Sequence, residues 1–89
     1  MIKIKLSETD PTILVFDGEI LECFFMDGSK RFHVAHLKGF QFESNNKGKY
    51  LLTIKLKYDP LLLWVDESSV AKANELIAQV QSSMASFKL

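Results

Sequence analysis

The two histidines and the single cysteine are the side chains in this chain that most readily bind metals or act as nucleophiles. His33 and His36 lie three residues apart, at a predicted strand end and bend, and too few further ligands accompany them for a zinc site of three or four. Cys23 lies in an apolar run, where a buried thiol within a strand is expected. The sequence therefore predicts no metal site and no cofactor.

The serines and carboxylates are placed for turns and helix starts rather than for catalysis. Asp17 and Glu19 flank Gly18 in a predicted turn, and Asp66 with Glu67 precedes a predicted helix. No serine is accompanied by a histidine and an acid in a pattern that would activate it as a nucleophile. We therefore expect a protein that is not an enzyme and has no catalytic residues.

Four basic residues of the middle segments are candidate anion contacts: Lys30, Arg31, Lys47 and Lys49. Such side chains could meet anionic lipid headgroups. Over the whole chain, eleven basic residues balance eleven acidic ones, giving a formal net charge of zero. This balance argues against nucleic-acid binding, which needs a clustered positive field.

Apolar residues make up 47% of the chain, and several runs are apolar at every position. Only one face of a small antiparallel sheet reaches the core, so some of these side chains need another cover. The candidates for an interface are Phe24, Leu51, Leu62 and Trp64. They either pack beneath a helix or loop of the same chain, or contact a protein partner or a second copy.

The first two thirds of the chain predict short strands joined by tight turns. Asp17-Gly18 and Asp27-Gly28 are typical hairpin turns, and short links of this kind make neighbouring strands antiparallel. The predicted strands are 2–6, 12–16, 19–26, 30–34, 40–43, 50–58 and 61–65.

The last third changes to a helical period. From Ser68 onward the apolar residues recur three and four apart, which predicts a helix over about 67–87 with Asp66 or Ser68 as its cap. Ile77 and Val80 should face the sheet. The predicted stripe is Val70, Ala73, Ile77, Val80, Met84 and Phe87. The whole chain, 1–89, is thus predicted to be one α+β domain, mainly β, with a C-terminal helix covering antiparallel strands.

This order of elements resembles the pleckstrin-homology-like (PH-like) superfold, and most closely its small bacterial versions. The resemblance is carried by the hairpin 12–26, by the segment 30–42 with its bend at Leu37, and by the helix that follows 61–65. It implies a rolled sheet or two near-orthogonal sheets, with the helix capping one corner. An SH3-like barrel with an added helix and an unrelated α+β sandwich remain as alternatives.

The resemblance implies a non-enzymatic interaction module that binds a protein partner by strand addition or in a groove, or binds itself, since small bacterial relatives resemble ring or dimer formers. The alternative is a membrane-targeting module for anionic lipid headgroups. Lipid-binding relatives use basic residues around the first hairpin loop. This chain instead carries Glu8, Asp10, Asp17 and Glu19 in its early loops, which disfavours a headgroup at that position.

A cytoplasmic, reducing location is expected. A lone cysteine cannot form an internal disulfide, and the N-terminal residues alternate apolar and basic instead of forming a signal peptide. The longest apolar run, 61–65, is far shorter than the roughly 20 residues of a transmembrane helix.

Overall fold

The computed structural model describes residues 1–8, 11–45 and 47–87, and within these ranges the chain forms seven strands followed by one α-helix. Two short 3-10 turns, Val34–His36 and Glu67–Ser69, precede β5 and α1. The elements are β1 (Ile2–Lys5), β2 (Ile13–Phe16), β3 (Ile20–Phe25), β4 (Gly28–His33), β5 (Gly39–Ser44), β6 (Lys49–Lys55), β7 (Leu61–Asp66) and α1 (Val70–Ser86). The predicted α+β, mainly β class is confirmed.

The strands form two antiparallel sheets. The first sheet has the order β1-β2-β3-β4 and the second has the order β5-β6-β7. Leu14 lies opposite Cys23 in the first sheet, and Leu52 lies opposite Leu63 in the second. All four side chains are buried. Because side chains alternate between faces along a strand, this register turns these four residues toward the core and their sequence neighbours toward an outer face.

The turn between β2 and β3 is held by Asp17, as its position before a glycine predicts. The Asp17 carboxylate accepts hydrogen bonds from the backbone N–H groups of Ile20 (2.7 Å) and Glu19 (2.9 Å). These bonds, that from Ile20 foremost, favour the charged form and hold the Asp17 pKa below its ordinary value. Gly18 has φ +105°, in the left-handed region that glycine adopts without steric penalty.

The core is formed by the inward residues of both sheets, by the bend after β4 and by one face of α1. The Cys23 thiol is buried within it, as predicted. The buried apolar residues are Ile4, Leu6, Leu14, Phe16, Leu21, Cys23, Val34, Leu37, Leu52, Ile54, Leu63, Val65, Ala73, Leu76, Ile77 and Val80.

Helix α1 contributes Ala73, Ile77 and Val80 to this core, as predicted, together with Leu76, which the predicted stripe omits. Leu76 lies three residues after Ala73 and therefore on the same helical face. Near the end of the helix the Ser83 hydroxyl donates to the carbonyl oxygen of Gly18 (2.7 Å), which fastens α1 to the turn between β2 and β3.

The predicted helix cap is wrong. Helix α1 follows the 3-10 turn Glu67–Ser69, and the residue at its N-cap position is Ser69. The Ser69 hydroxyl donates to the carbonyl oxygen of Lys5 (2.9 Å) instead of capping the helix. The side chain of Asp66 makes no capping hydrogen bond.

Candidate interaction surface

Three of the four predicted interface residues lie together on the outer face of the second sheet. Leu51 of β6 is directly opposite Trp64 of β7, and Thr53 of β6 is directly opposite Leu62 of β7. These cross-strand pairs point away from the core because their sequence neighbours Leu52 and Leu63 point into it. We call Leu51, Leu62 and Trp64 the outer patch.

The outer patch is open to solvent. The Leu62 residue is 55% exposed, Trp64 is 48% exposed, and Leu51 is half-buried between them and β5. Their immediate neighbours Leu63 and Val65 are buried. The apolar run at 61–65 therefore serves both faces of the sheet, and its outward half is left without cover from this chain.

A polar rim borders the outer patch on its β5 side and at one end of β6. On β5 the Gln41 side-chain amide donates to the Glu43 carboxylate (2.8 Å), and these two residues lie opposite Thr53 and Leu51. Beyond the patch along β6, the exposed Lys55 adds a positive charge. An apolar centre within a rim of mixed charge is the usual anatomy of a protein-binding surface.

Phe24, the fourth predicted interface residue, lies elsewhere. It is on the outer face of the first sheet, directly opposite Ile13 of β2, and it is 40% exposed. The structure thus divides the predicted interface set between two sheets. The division follows from which strands pair with one another, which the sequence pattern alone does not fix.

The four candidate anion contacts do not form one cluster. Lys30 and Arg31 are consecutive on β4, so their side chains leave opposite faces of the first sheet, whereas Lys47 and Lys49 belong to the second sheet and its β5–β6 turn. Arg31 lies 3.7 Å from the carboxylate of Glu22.

Asp66 holds the start of the helical segment against the end of β1. Its carboxylate accepts hydrogen bonds from the Lys49 ammonium (2.7 Å), the Glu8 backbone N–H (2.8 Å) and the Ser7 hydroxyl (3.3 Å). Its own N–H donates to the carbonyl oxygen of Leu6 (2.8 Å), which joins the two sheets. These bonds, that from Lys49 foremost, lower the pKa of Asp66. The sequence predicted a helix cap at Asp66 because its position before a helix is a local signal. Its actual partners are distant in the chain and leave no such signal.

His33 is a structural residue at the end of β4. Its Nδ1 accepts from the Ala35 N–H (3.0 Å), and its Nε2 lies 3.0 Å from the Glu19 carboxylate. Its ring packs edge-on against Phe87, with ring centroids 5.0 Å apart. Within residues 1–8, 11–45 and 47–87, no three histidine, cysteine, aspartate or glutamate side chains group as metal ligands would.

No helix in the described ranges has the length and hydrophobicity needed to cross a membrane. Comparison with models of known protein families gave no match, and comparison with curated proteins gave none either.

Proposed function

We propose that this protein is a non-enzymatic interaction module whose outer patch binds a protein surface, either that of a partner or that of a second copy. The observation that carries the proposal is the half-exposed pair Trp64 and Leu62 beside Leu51. The inward residues of β7, Leu63 and Val65, already supply its share of the core.

Burying the outer patch against another protein surface would stabilise the complex. At about 25 cal/mol per Å² of apolar area, covering the exposed halves of a tryptophan and a leucine contributes roughly 1–2 kcal/mol each. Tryptophan is among the residues most often found at the energetic centres of interfaces. In the outer patch the chain's only tryptophan lies beside two leucines, with the polar rim on its β5 side.

The outer patch is too small to form a stable interface by itself, so the partner must contact further residues. A stable interface buries about 800 Å² on each side, which three side chains do not supply. The partner therefore also covers the rim around Gln41, Glu43 and Lys55. Because Gln41 and Glu43 already bond each other, these groups stay hydrogen-bonded when water is removed.

The membrane-targeting alternative has less support. Two of its four basic residues already have acidic partners, since Arg31 lies by Glu22 and Lys49 binds Asp66. Exposed Lys30 and Lys47 remain, the first on β4 of the first sheet and the second in the β5–β6 turn. Asp10, one of the acidic residues of the early loops, lies outside the described residues.

The PH-like resemblance and the cytoplasmic location are part of the same proposal. The resemblance is supported by the presence of two antiparallel sheets, of four and three strands, followed by a helix at the end of the chain. Cys23 is the single cysteine of the sequence and is buried, so no disulfide forms within the chain, which suits a reducing compartment.

The proposal is tested by comparing the parent protein with a Leu62→Ser, Trp64→Ala double variant. Light scattering over a hundredfold concentration range measures self-association, and affinity capture with a tagged protein measures binding of a partner. We expect the parent to form a complex in one of the two assays and the double variant to lose it while remaining folded, as shown by a cooperative thermal melt. Phe24→Ala, on the outer face of the other sheet, is the matched control and should keep the complex. Equal association by the parent and the double variant would contradict the proposal.

A further inference from the structure

The outer face of the first sheet carries a groove that is separate from the outer patch on the second sheet. The groove has a volume of about 580 Å³, and its lining includes Met1, Lys3, Ile13, Val15, Glu22 and Phe24. We infer that it binds a single alkyl chain with a carboxylate head, the chemistry of a fatty-acid anion.

The shape of the groove follows from the register of three strands. Val15 lies between Lys3 of β1 and Glu22 of β3, and Ile13 lies next to Phe24 of β3. The two β-branched side chains of β2 are shorter than the lysine, glutamate and phenylalanine beside them. They therefore form a low apolar floor between two higher walls, and the groove runs along β2.

The width of the groove favours an alkyl chain over a peptide. The walls stand on strands two spacings apart, about 9.6 Å at 4.8 Å per strand, and their side chains fill part of that width. A helix about 10–12 Å across does not enter such a groove. An extended peptide would fit, but its backbone N–H and C=O groups would lie over Ile13 and Val15, which offer no hydrogen bonds. An alkyl chain carries no such groups.

The charges of the walls favour an anionic head. Lys3 and Lys5 are exposed on the β1 side, and neither forms an ion pair within the part of the chain that the structure describes. On the β3 side, the charge of Glu22 is offset by Arg31 at 3.7 Å. A carboxylate therefore meets a positive wall at Lys3 and an approximately neutral wall opposite.

The test uses dodecanoate and dodecyltrimethylammonium, both below the concentrations at which they form micelles. Binding is followed by NMR shifts of the Ile13 and Val15 methyl groups in the full chain. We expect dodecanoate to produce saturable shifts at these methyls and to bind at least about tenfold more tightly than the cationic amphiphile. No shifts with dodecanoate, or equal affinity for the two head groups, would overturn the inference. Shifts that appear only with anionic phospholipid vesicles would overturn it as well, because they would assign the face to a membrane surface.

Single variants distinguish the contact with the carboxylate head from the contact with the alkyl chain. Lys3→Gln, at an exposed position, should weaken dodecanoate binding about threefold to fivefold, the range expected for one surface charge pair. Phe24→Ala should weaken it about tenfold through lost apolar contact. Leu62→Ser, on the other sheet, should leave it unchanged. Unchanged affinity in both Lys3→Gln and Phe24→Ala would contradict the inference, whatever the outcome for the outer patch.

Discussion

The two faces of β7 carry nearly the same chemistry and have opposite surroundings. Leu62 and Leu63 are neighbours of the same residue type, yet Leu62 is 55% exposed and Leu63 is 3% exposed. Trp64 and Val65 repeat the contrast one step further along the strand. This strand therefore carries more apolar side chains than the core buries. The inward half contributes to the core, and we assign the outward half to binding.

The largest expected effect comes from placing a charge on the core side. Ile77→Asp should lower the free energy of unfolding by several kcal/mol, because Ile77 is buried under the sheets and the new carboxylate would have no partner there. Ala78→Asp, at the exposed neighbouring position of α1, should lower it by less than about 1 kcal/mol. Urea denaturation measures both. Equal losses would mean that α1 does not cover the core as described.

The paired leucines test the comparison most closely. Leu63→Ala should lower the free energy of unfolding by about 2–5 kcal/mol, through lost apolar burial and the cavity left behind. Leu62→Ala, the matched change on the outer face, should lower it by less than about 1 kcal/mol. Thermal melts of the two variants measure the difference. A large loss in Leu62→Ala would show that the outer patch also contributes to folding.

Acid should weaken the junction between the two sheets. The folded-state pKa of Asp66 is lowered from 3.8, so its charged form contributes stability above that value, and the contribution is lost as pH falls through the lowered pKa. Asp66→Asn keeps the size of the side chain but removes its charge. The variant should be less stable than the parent at pH 7, and the gap should narrow as the pH falls below about 4. A gap that stays constant from pH 7 to pH 2 would contradict this role.

Trp64→Ala should affect binding more than folding. Because the side chain is half exposed, we expect its unfolding free energy to remain within about 1–2 kcal/mol of the parent, against the 3–5 kcal/mol typical of a buried tryptophan. Binding should instead fall by tenfold or more, as for a central aromatic residue of an interface. Paired melting and light-scattering or capture assays check this. A variant that loses stability while keeping its binding would reverse the assignment.

The sequence predicted the elements well because their signals are local. Alternating or continuous apolar runs mark the strands, Asp17 before Gly18 marks a turn, and the three-and-four spacing marks α1. The misassigned residue is Asp66, whose position before a helix predicts a cap but whose partners Ser7 and Glu8 lie nearly 60 residues away. No local pattern reports a contact at that separation.

The candidate sites were only partly predictable for the same reason. Leu51, Leu62 and Trp64 could be named as surplus apolar residues, but their assembly on one face, apart from Phe24, depends on which strands pair and in what register. The groove of the first sheet needs Lys3, Val15 and Glu22 side by side on three strands. Its concave shape therefore follows from tertiary structure rather than from any single segment.

The most direct test of the central assignment uses Trp64 itself, the only tryptophan in the chain and the centre of the outer patch. Its fluorescence emission maximum is measured as the protein is concentrated a hundredfold, and again with any partner that the capture experiment yields. The account predicts a saturable shift to shorter wavelength in one of these titrations, and no shift in Leu62→Ser. An emission maximum that stays at the value of the dilute protein throughout both titrations would contradict it.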